Sequence, residues 1–233
     1  MRIAALVVLS FSALLYAAAG TAAEDDGVKL LKPHFEFNSE TLLRGAKLFA
    51  SRCLGCHNLK YLRYNRVADD LGMTKDEVEW MLMTPRGAEY NKGMISNLDT
   101  DDAANWFGTA PPDLTLEARY RGRDWIYTYL KSFYLDPDQP LGWNNHLFPK
   151  VAMPNILAPL SGARDAQGNI LEKGSMTPQQ YDQAVADLTA WLQYASDPSI
   201  LQRKKLGPWV IGFLVIFSLL AYLLKRAYWR DIH

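Results

Sequence analysis

Both cysteines of the 233-residue chain lie in one short segment, RCLGCHN, at positions 52–58. Two residues separate Cys53 from Cys56, and His57 follows the second thiol directly. Three kinds of site use such a pattern: a redox-active dithiol, part of a zinc site, and a covalent attachment site for haem. The surrounding sequence has to discriminate among these three chemistries.

The sequence around the motif favours haem. A helix is predicted before the motif, whereas a thioredoxin-like dithiol begins a helix after a strand in a βαβ unit. A structural zinc ion needs four ligands, and the fourth would have to come from His34, His146, a carboxylate or water. With haem every residue has a use, because the two thiols bond to the vinyl groups and His57 supplies an axial nitrogen to the iron.

The second axial ligand is predicted to be a methionine in a proline-rich segment. Met153 lies in FPKVAMPNILAP, where Pro154 biases it towards extended backbone, as suits a strap across one face of a haem. Met94, Met176 and a histidine, with His146 the best of these, remain alternatives, as does an open sixth position. Axial His and Met raise the reduction potential and leave no free position on iron, so this pair favours electron transfer.

The two ends of the chain predict export and membrane anchoring. Residues 1–23 have a basic start, a short apolar run and a zone of small residues, as a signal peptide has; a membrane anchor is the alternative. Residues 206–224 carry no charge, and at about 1.5 Å per residue they would span roughly 28 Å, close to the apolar thickness of a bilayer. Basic and aromatic residues flank this stretch on both sides, as they do in membrane-spanning helices.

This layout predicts four regions: a signal peptide (1–23), an exported haem domain (24–202), a transmembrane anchor helix (203–225) and a short tail (226–233). Because a signal peptide directs the next part of the chain across the membrane, we expect the haem domain in the periplasm and the tail in the cytoplasm.

The charge of the exported domain differs from that of the whole chain, which has 25 basic and 25 acidic residues. Arg2, Asp231 and six basic residues after position 202 lie outside the domain, which leaves 18 basic and 24 acidic side chains within it, a net charge of −6. Such a domain does not suggest a nucleic-acid partner, and it suits a basic protein partner.

The elements that must position the motifs are helices separated by long loops. Asn38 or Ser39 can cap the helix before the motif, with apolar residues on one face. Capping boxes begin at Thr74 and Thr177, and Gln167-Gly168-Asn169 predicts a hairpin turn. The predicted helices cover 39–52, 75–84, 123–134 and 178–196, and 84–112 is expected to be mostly loop.

The order of these motifs resembles the cytochrome c1 family, the haem subunits of the ubiquinol–cytochrome c reductase, or bc1, complex. The resemblance rests on CLGCHNLKYLRYNR, APPDLTLEARYRGRDWIYTYL, the Met153 segment and the C-terminal apolar stretch. Many cytochromes share CxxCH, whereas the Pro-Pro-Asp-Leu block with its downstream methionine is more specific. A second cysteine pair of some members is absent here. The family implies a mainly α fold: a class I cytochrome c-like helical haem domain with long loops and one C-terminal transmembrane helix.

The resemblance also implies the cofactor and the residues around it. One haem c would be attached through Cys53 and Cys56 and ligated by His57 and Met153.

Further positions of the same family pattern would complete the surroundings of the haem. Arg119 is expected to contact a haem propionate, with Trp125 packed nearby. Pro111 and Pro112 would border the haem, with a prolyl carbonyl orienting the free nitrogen of His57.

The function implied by the family is electron transfer with no catalytic residue on this chain. One electron would come from the Rieske iron–sulfur protein and pass to cytochrome c, in a dimeric complex with cytochrome b in the bacterial inner membrane. The alternative is another membrane-anchored mono-haem cytochrome that feeds a terminal oxidase or reductase. A haem sensor or a peroxidase-like enzyme is the third interpretation, and it requires an open sixth position.

Overall fold

The computed structural model describes residues 27–230, so the predicted signal peptide and the last three residues of the tail lie outside the described residues. As predicted, this part of the chain is mainly helical, with nine helices and three two-stranded antiparallel sheets. The helices are α1 (Ser39–Arg52), α2 (Tyr64–Leu71), α3 (Lys75–Met81), α4 (Thr100–Phe107), α5 (Glu117–Tyr120), α6 (Arg123–Lys131), α7 (Ala158–Ser161), α8 (Pro178–Ser196) and α9 (Ile200–Tyr228). The paired strands are β1 (Leu59–Arg63) with β2 (Gly93–Met94), β3 (Phe133–Leu135) with β4 (Trp143–Asn145), and β5 (Gly162–Arg164) with β6 (Ile170–Lys173).

Local capping signals set the starts of three helices where the sequence predicts them. The side chain of Asn38 accepts a hydrogen bond from the backbone N–H of Thr41, which caps α1. The capping boxes at Thr74 and Thr177 are both present, each with its reciprocal pair of hydrogen bonds. The predicted hairpin turn joins β5 to β6, with Gly168 at a φ of +86°.

Helices α1 and α8 form the centre of the core. The face of α1 that carries Leu42, Ala46 and Phe49 is buried, whereas the neighbouring Leu43 is only half-buried. Phe49 packs against Trp191 of α8, with ring centroids 6.5 Å apart. This core fixes the direction in which α1 delivers the chain to the cysteine motif.

The crossing of α1 and α8 is close because a glycine lies at the contact. A Cβ added to Gly45 would lie 2.2 Å from the carbonyl oxygen of Asp187, so only glycine permits this separation of the helix axes. Beside it, Arg44 Nε donates to the buried carboxylate of Asp187 at 2.6 Å. The pair stabilises the crossing at its edge.

The structure differs from the sequence prediction in one added helix and two helix ends. Most of the segment 84–112 is loop as predicted, but it also contains α4, whose N-terminus is capped by the side chain of Asp99. The helix predicted over 75–84 ends at Met81. Helix α6 ends at Lys131, not at Tyr134, because Tyr134 pairs with Asn144 in the β3–β4 ladder. Pairing with a strand that comes later in the chain overrides the helical spacing of the apolar residues here.

Helix α9 leaves the domain after a joint of three residues, 197–199. Asp197 accepts a hydrogen bond from Ser199 and forms an ion pair with Arg203 on the first turn of α9. The helix has 29 residues, which is about 43 Å, and none of the residues in its apolar stretch is buried. By length and composition it can span a membrane.

Candidate functional site

One cavity of about 480 Å³ brings together seven of the eight residues that the sequence predicts for the site. Its walls come from the end of α1, the loop after α4, helix α6 and the segment 148–156, which we call the strap. The predicted residues that line the cavity are Cys53, Cys56, His57, Pro111, Pro112, Trp125 and Met153.

The cysteine motif forms a tight turn at the end of α1. Cys53 donates its backbone N–H to the carbonyl of Phe49, and the N–H groups of Cys56 and His57 both donate to the carbonyl of Cys53, at 3.0 and 2.8 Å. The turn therefore puts both thiols and the imidazole on one wall of the cavity. Cys53 is buried and Cys56 is exposed.

The thiols do not have the properties of a redox-active pair. Burial raises the pKa of Cys53 to about 12 and also raises the pKa of Cys56. Reactive dithiols instead have a lowered pKa on the attacking cysteine, because the thiolate is the nucleophile. The zinc interpretation lacks ligands as well, since residues 27–230 contain no cluster of three or more His, Cys, Asp or Glu able to hold a metal ion.

His57 is buried and fixed in one orientation. Its Nδ1 lies 2.9 Å from the carbonyl oxygen of Pro112, which is the contact expected for an oriented ligand. Because a carbonyl can only accept, Nδ1 carries the proton and Nε2 keeps its lone pair for a metal. Burial lowers the pKa of His57, and a neutral ring is the form that binds a metal.

Asn58 ties the cysteine turn to two loops, a role that the sequence analysis missed. Its side-chain oxygen accepts from the N–H of Ser96 at 2.7 Å, and its backbone carbonyl accepts from the N–H of Leu114 at 2.8 Å. Ser96 in turn donates its hydroxyl to the carbonyl of Gly55. A small polar residue directly after the histidine was the signal available in the sequence.

The strap is held by two buried asparagines that the sequence analysis also missed. The side-chain oxygen of Asn144 accepts from the N–H of Lys150 at 2.8 Å, and that of Asn145 accepts from the N–H of Phe148 at 3.1 Å. Lys150 adopts a φ of +60° at this point. Consecutive asparagines before a proline-rich loop are typical of side chains that bond to the backbone.

Tyr129 of α6 contacts the strap through its side chain and, through its backbone, one of the asparagines that hold the strap. Its carbonyl accepts from Asn145 Nδ2 at 2.8 Å, and its hydroxyl donates to Met153 Sδ at 3.4 Å. Its ring stacks on Trp125 with centroids 5.1 Å apart and planes 9° from parallel. Burial raises the pKa of Tyr129 above its usual range, so the phenol stays protonated.

Arg119 is the one predicted site residue that the structure does not bring to the cavity. Its side chain is exposed on α5 and is close enough to Asp197 to act on that carboxylate. The pKa of Asp197 is lowered first by its hydrogen bond with Arg203 and also by the positive charge of Arg119. The guanidinium that lines the cavity belongs to Arg121, which lies 4.4 Å above the ring of Trp125. Arg121 also has helical backbone, and two residues of helix turn its side chain by about 200° from that of Arg119.

The alternative axial ligands lie away from the cavity. Met94 is buried in β2 opposite Leu59. Met176 lies at the start of α8, where its N–H donates to the carbonyl of Leu160. His146 is exposed and stacks on Tyr134 at 4.4 Å. Of these candidates and Met153, the structure brings only Met153 to the same cavity as His57.

The residues present fit a haem c group. Two thiols and an imidazole with a free lone pair line one wall, and a thioether lines another, which is the donor set of a covalently attached, His/Met-ligated haem. Apolar side chains make up most of the remaining wall, which also carries the guanidinium of Arg121, 3.6 Å from the carboxylate of Glu117, as a partner for an anionic substituent.

Comparison with known proteins is consistent with a haem c site. The family model described as the Cytochrome C1 family matches residues 29–232. A cytochrome c1 of Allochromatium vinosum is 42% identical, covering 99% of this chain and 98% of that protein. An ammonia monooxygenase gamma subunit of Nitrosomonas europaea is 42% identical over 88% of this chain and 90% of that protein. A cytochrome b/c1 of Bradyrhizobium diazoefficiens is 28% identical over 86% of this chain but only 34% of that protein.

Proposed function

The chain belongs to the cytochrome c1 family, and on that premise we propose that it relays single electrons within a quinol-oxidising bc1 complex. The donor is the Rieske iron–sulfur protein, and the acceptor is a cytochrome c. Proteins of this family carry one covalently bound haem c, which supplies a one-electron Fe(III)/Fe(II) couple. The observation that carries the proposal is the single cavity with Cys53, Cys56 and His57 on one wall and Met153 on another.

Each of these side chains has a distinct task in the proposal. Cys53 and Cys56 would hold the haem covalently, and His57 would bind the iron through Nε2, with its ring fixed by the Pro112 carbonyl. Met153 would supply the second protein ligand. With both ligands from the protein, the group would supply one-electron transfer and would leave no position for substrate chemistry.

Arg121 takes the electrostatic role that the sequence analysis assigned to Arg119. A guanidinium at the cavity pairs well with a carboxylate, and its position over Trp125 limits its freedom before the haem is present. On another side, the cavity wall is exposed at Cys56 and Pro112, which leaves an approach for redox partners. The net negative charge of residues 24–202 favours a basic acceptor.

The proposed location rests on the two ends of the chain. Residues 1–23 act as a signal peptide, 24–202 form the periplasmic haem domain, 203–225 cross the inner membrane, and 226–233 end in the cytoplasm. Helix α9 supports this arrangement by its length and exposed apolar surface. In the membrane it packs beside cytochrome b in a dimeric complex. The fused name of the Bradyrhizobium relative, cytochrome b/c1, is consistent with that neighbour.

The test is purification of the full-length chain from its native membranes in mild detergent. We expect covalent haem staining of this chain on a denaturing gel, together with a cytochrome b spectrum and a Rieske iron–sulfur signal by electron paramagnetic resonance. Added quinol should reduce the haem c. Co-purification with oxidase subunits instead would support the alternative of a cytochrome that feeds a terminal oxidase. Co-purification with monooxygenase subunits would support the activity in the name of the Nitrosomonas relative.

A further inference from the structure

Tyr129 is hydrogen-bonded both to the Met153 sulfur and to Asn145, one of the two asparagines that hold the strap. Its hydroxyl lies 3.4 Å from Met153 Sδ, within the range of hydrogen bonds to sulfur, and it donates because a thioether has no proton. Its backbone carbonyl accepts from Asn145 Nδ2 at 2.8 Å. Asn145 also accepts from the N–H of Phe148 in the strap at 3.1 Å, so Tyr129 is linked to the strap directly through Met153 and indirectly through Asn145.

The ring of Tyr129 is packed against two other aromatic rings, which restricts the direction of its hydroxyl before any ligand is bound. Trp125 stacks on it with nearly parallel planes, and Phe133 meets the ring at 70° with centroids 5.1 Å apart. Arg121 in turn lies 4.4 Å from the ring centroid of Trp125. A side chain packed in this way loses little further conformational entropy when its hydroxyl bonds to sulfur.

We propose that Tyr129 is a positioning residue for the thioether of Met153: its hydroxyl fixes which sulfur lone pair faces the haem and withdraws electron density from the sulfur. This inference rests on the proposed function, because it takes Met153 as an iron ligand. A thioether sulfur has two lone pairs, so one can bind iron while the other accepts from the phenol. Withdrawal of electron density weakens the sulfur as a donor to Fe(III) more than to Fe(II), and the reduction potential rises.

The substitution that isolates the hydroxyl is Tyr129→Phe, which keeps the ring and its stacking. We expect the potential to fall, with the equilibrium constant for reduction lowered about two- to tenfold, as suits the loss of one neutral hydrogen bond; tenfold corresponds to about 59 mV for one electron. The sulfur-to-iron charge-transfer band of the oxidised protein should move to lower energy, because the sulfur lone pair is no longer stabilised. Both are measured by spectroelectrochemistry on the purified complex.

The matched control is Tyr127→Phe, which removes a buried phenol from the same helix. The hydroxyl of Tyr127 accepts from Lys131 at 3.3 Å and does not line the cavity. This variant should leave the potential and the charge-transfer band unchanged. Equal shifts in both variants, or no shift in Tyr129→Phe with an unchanged unfolding transition, would overturn the inference.

A second measurement needs no variant and separates this inference from the proposed function. Exchange of the unsubstituted protein into D2O should shift its iron–sulfur stretching band in resonance Raman spectra, because the phenolic proton is exchangeable. A band with no isotope shift counts against Tyr129 alone and leaves the proposed function standing. An oxidised protein with no sulfur-to-iron band at all counts against Met153 as a ligand and overturns both.

Discussion

The cavity wall that carries the cysteines and the wall that carries Met153 are held in place by different kinds of contact. The cysteine turn, residues 53–58, is closed by backbone hydrogen bonds within six residues of its own sequence and continues directly from a buried helix. The strap has one backbone hydrogen bond of its own, from Ile156 to Pro154, and otherwise depends on side chains from outside it, those of Asn144, Asn145 and Tyr129. The attachment wall thus has a local backbone framework in addition to its contacts with other loops, whereas the ligand wall depends mainly on contacts between segments.

This difference predicts that substitutions in the two walls have separate effects on the haem. Damage to the cysteine turn should remove the haem from the protein, whereas damage to the strap should change the properties of a haem that stays attached. Five sets of substitutions test this separation, beginning with the largest expected effect.

The largest effect is expected for the double substitution Cys53→Ser and Cys56→Ser. No thiol then remains in the chain to form a thioether bond, so covalent haem should be lost completely. A denaturing gel stained for haem, with an antibody against the chain to show that it is still made, measures this. Retained haem staining would show that the attachment lies elsewhere.

On the opposite wall, Met153→Leu keeps the apolar volume and removes the sulfur. Covalent haem should remain, the reduction potential should fall, and the reduced protein should bind carbon monoxide, because the sixth position on iron becomes open. A potentiometric titration and a carbon monoxide difference spectrum measure both effects. An unchanged potential would contradict the assignment of Met153.

The support of the strap is tested by Asn145→Ala. The substitution leaves the N–H groups of Leu147 and Phe148 and the carbonyl of Tyr129 without this partner, at a cost of roughly 3 kcal/mol in the free energy of unfolding. Covalent haem should be retained while part of the reduced protein binds carbon monoxide. A variant that is as stable as the unsubstituted protein and does not bind carbon monoxide would mean that the strap does not need Asn145 to keep its position.

The support of the attachment wall is tested by Gly45→Ala. The added Cβ would overlap the carbonyl of Asp187 and push α1 away from α8, which should cost about 1–3 kcal/mol in the free energy of unfolding. Gly55→Ala is the matched control, since a Cβ there meets no atom within 4 Å. Denaturant unfolding of both variants measures the difference, and equal midpoints would contradict the close helix crossing.

The smallest effect is expected for Lys150→Gly, at the strained position of the strap. A φ of +60° suits glycine, and the relief of about 1–2 kcal/mol of strain is partly cancelled by the greater entropy of glycine in the unfolded chain. We expect a net gain below about 1 kcal/mol in thermal unfolding. Lys150→Ala keeps the strain and should give no gain, so equal stability of the two variants would exclude strain as the cause.

Much of the fold was predictable because its signals are local. The caps at Asn38, Thr74 and Thr177 are short side-chain patterns that act within one helical turn, and each begins a helix where expected. Helix α4 carried the same kind of signal at Asp99, but the polar residues around it are equally typical of loops.

The parts of the site that the sequence did not reveal depend on directions and on distant partners. Arg119 and Arg121 are two residues apart, so helical backbone turns their side chains about 200° from each other, and which of them faces the cavity depends on how α5 is oriented against the rest of the domain. The contact between Tyr129 and Met153 joins residues 24 positions apart and arises from no local pattern.

The joint at residues 197–199 has a consequence for how electrons reach this protein. Three residues, with Asp197 bonded to both Ser199 and Arg203, give the haem domain a short tether to its membrane helix. Lys204 also lies 4.6 Å from the ring centroid of Phe37, which adds a contact between the helix and the body of the domain. A domain on so short a tether keeps its cavity at a fixed height above the lipid surface. An electron carrier that binds both at this cavity and at a site within the membrane must therefore itself move between the two positions.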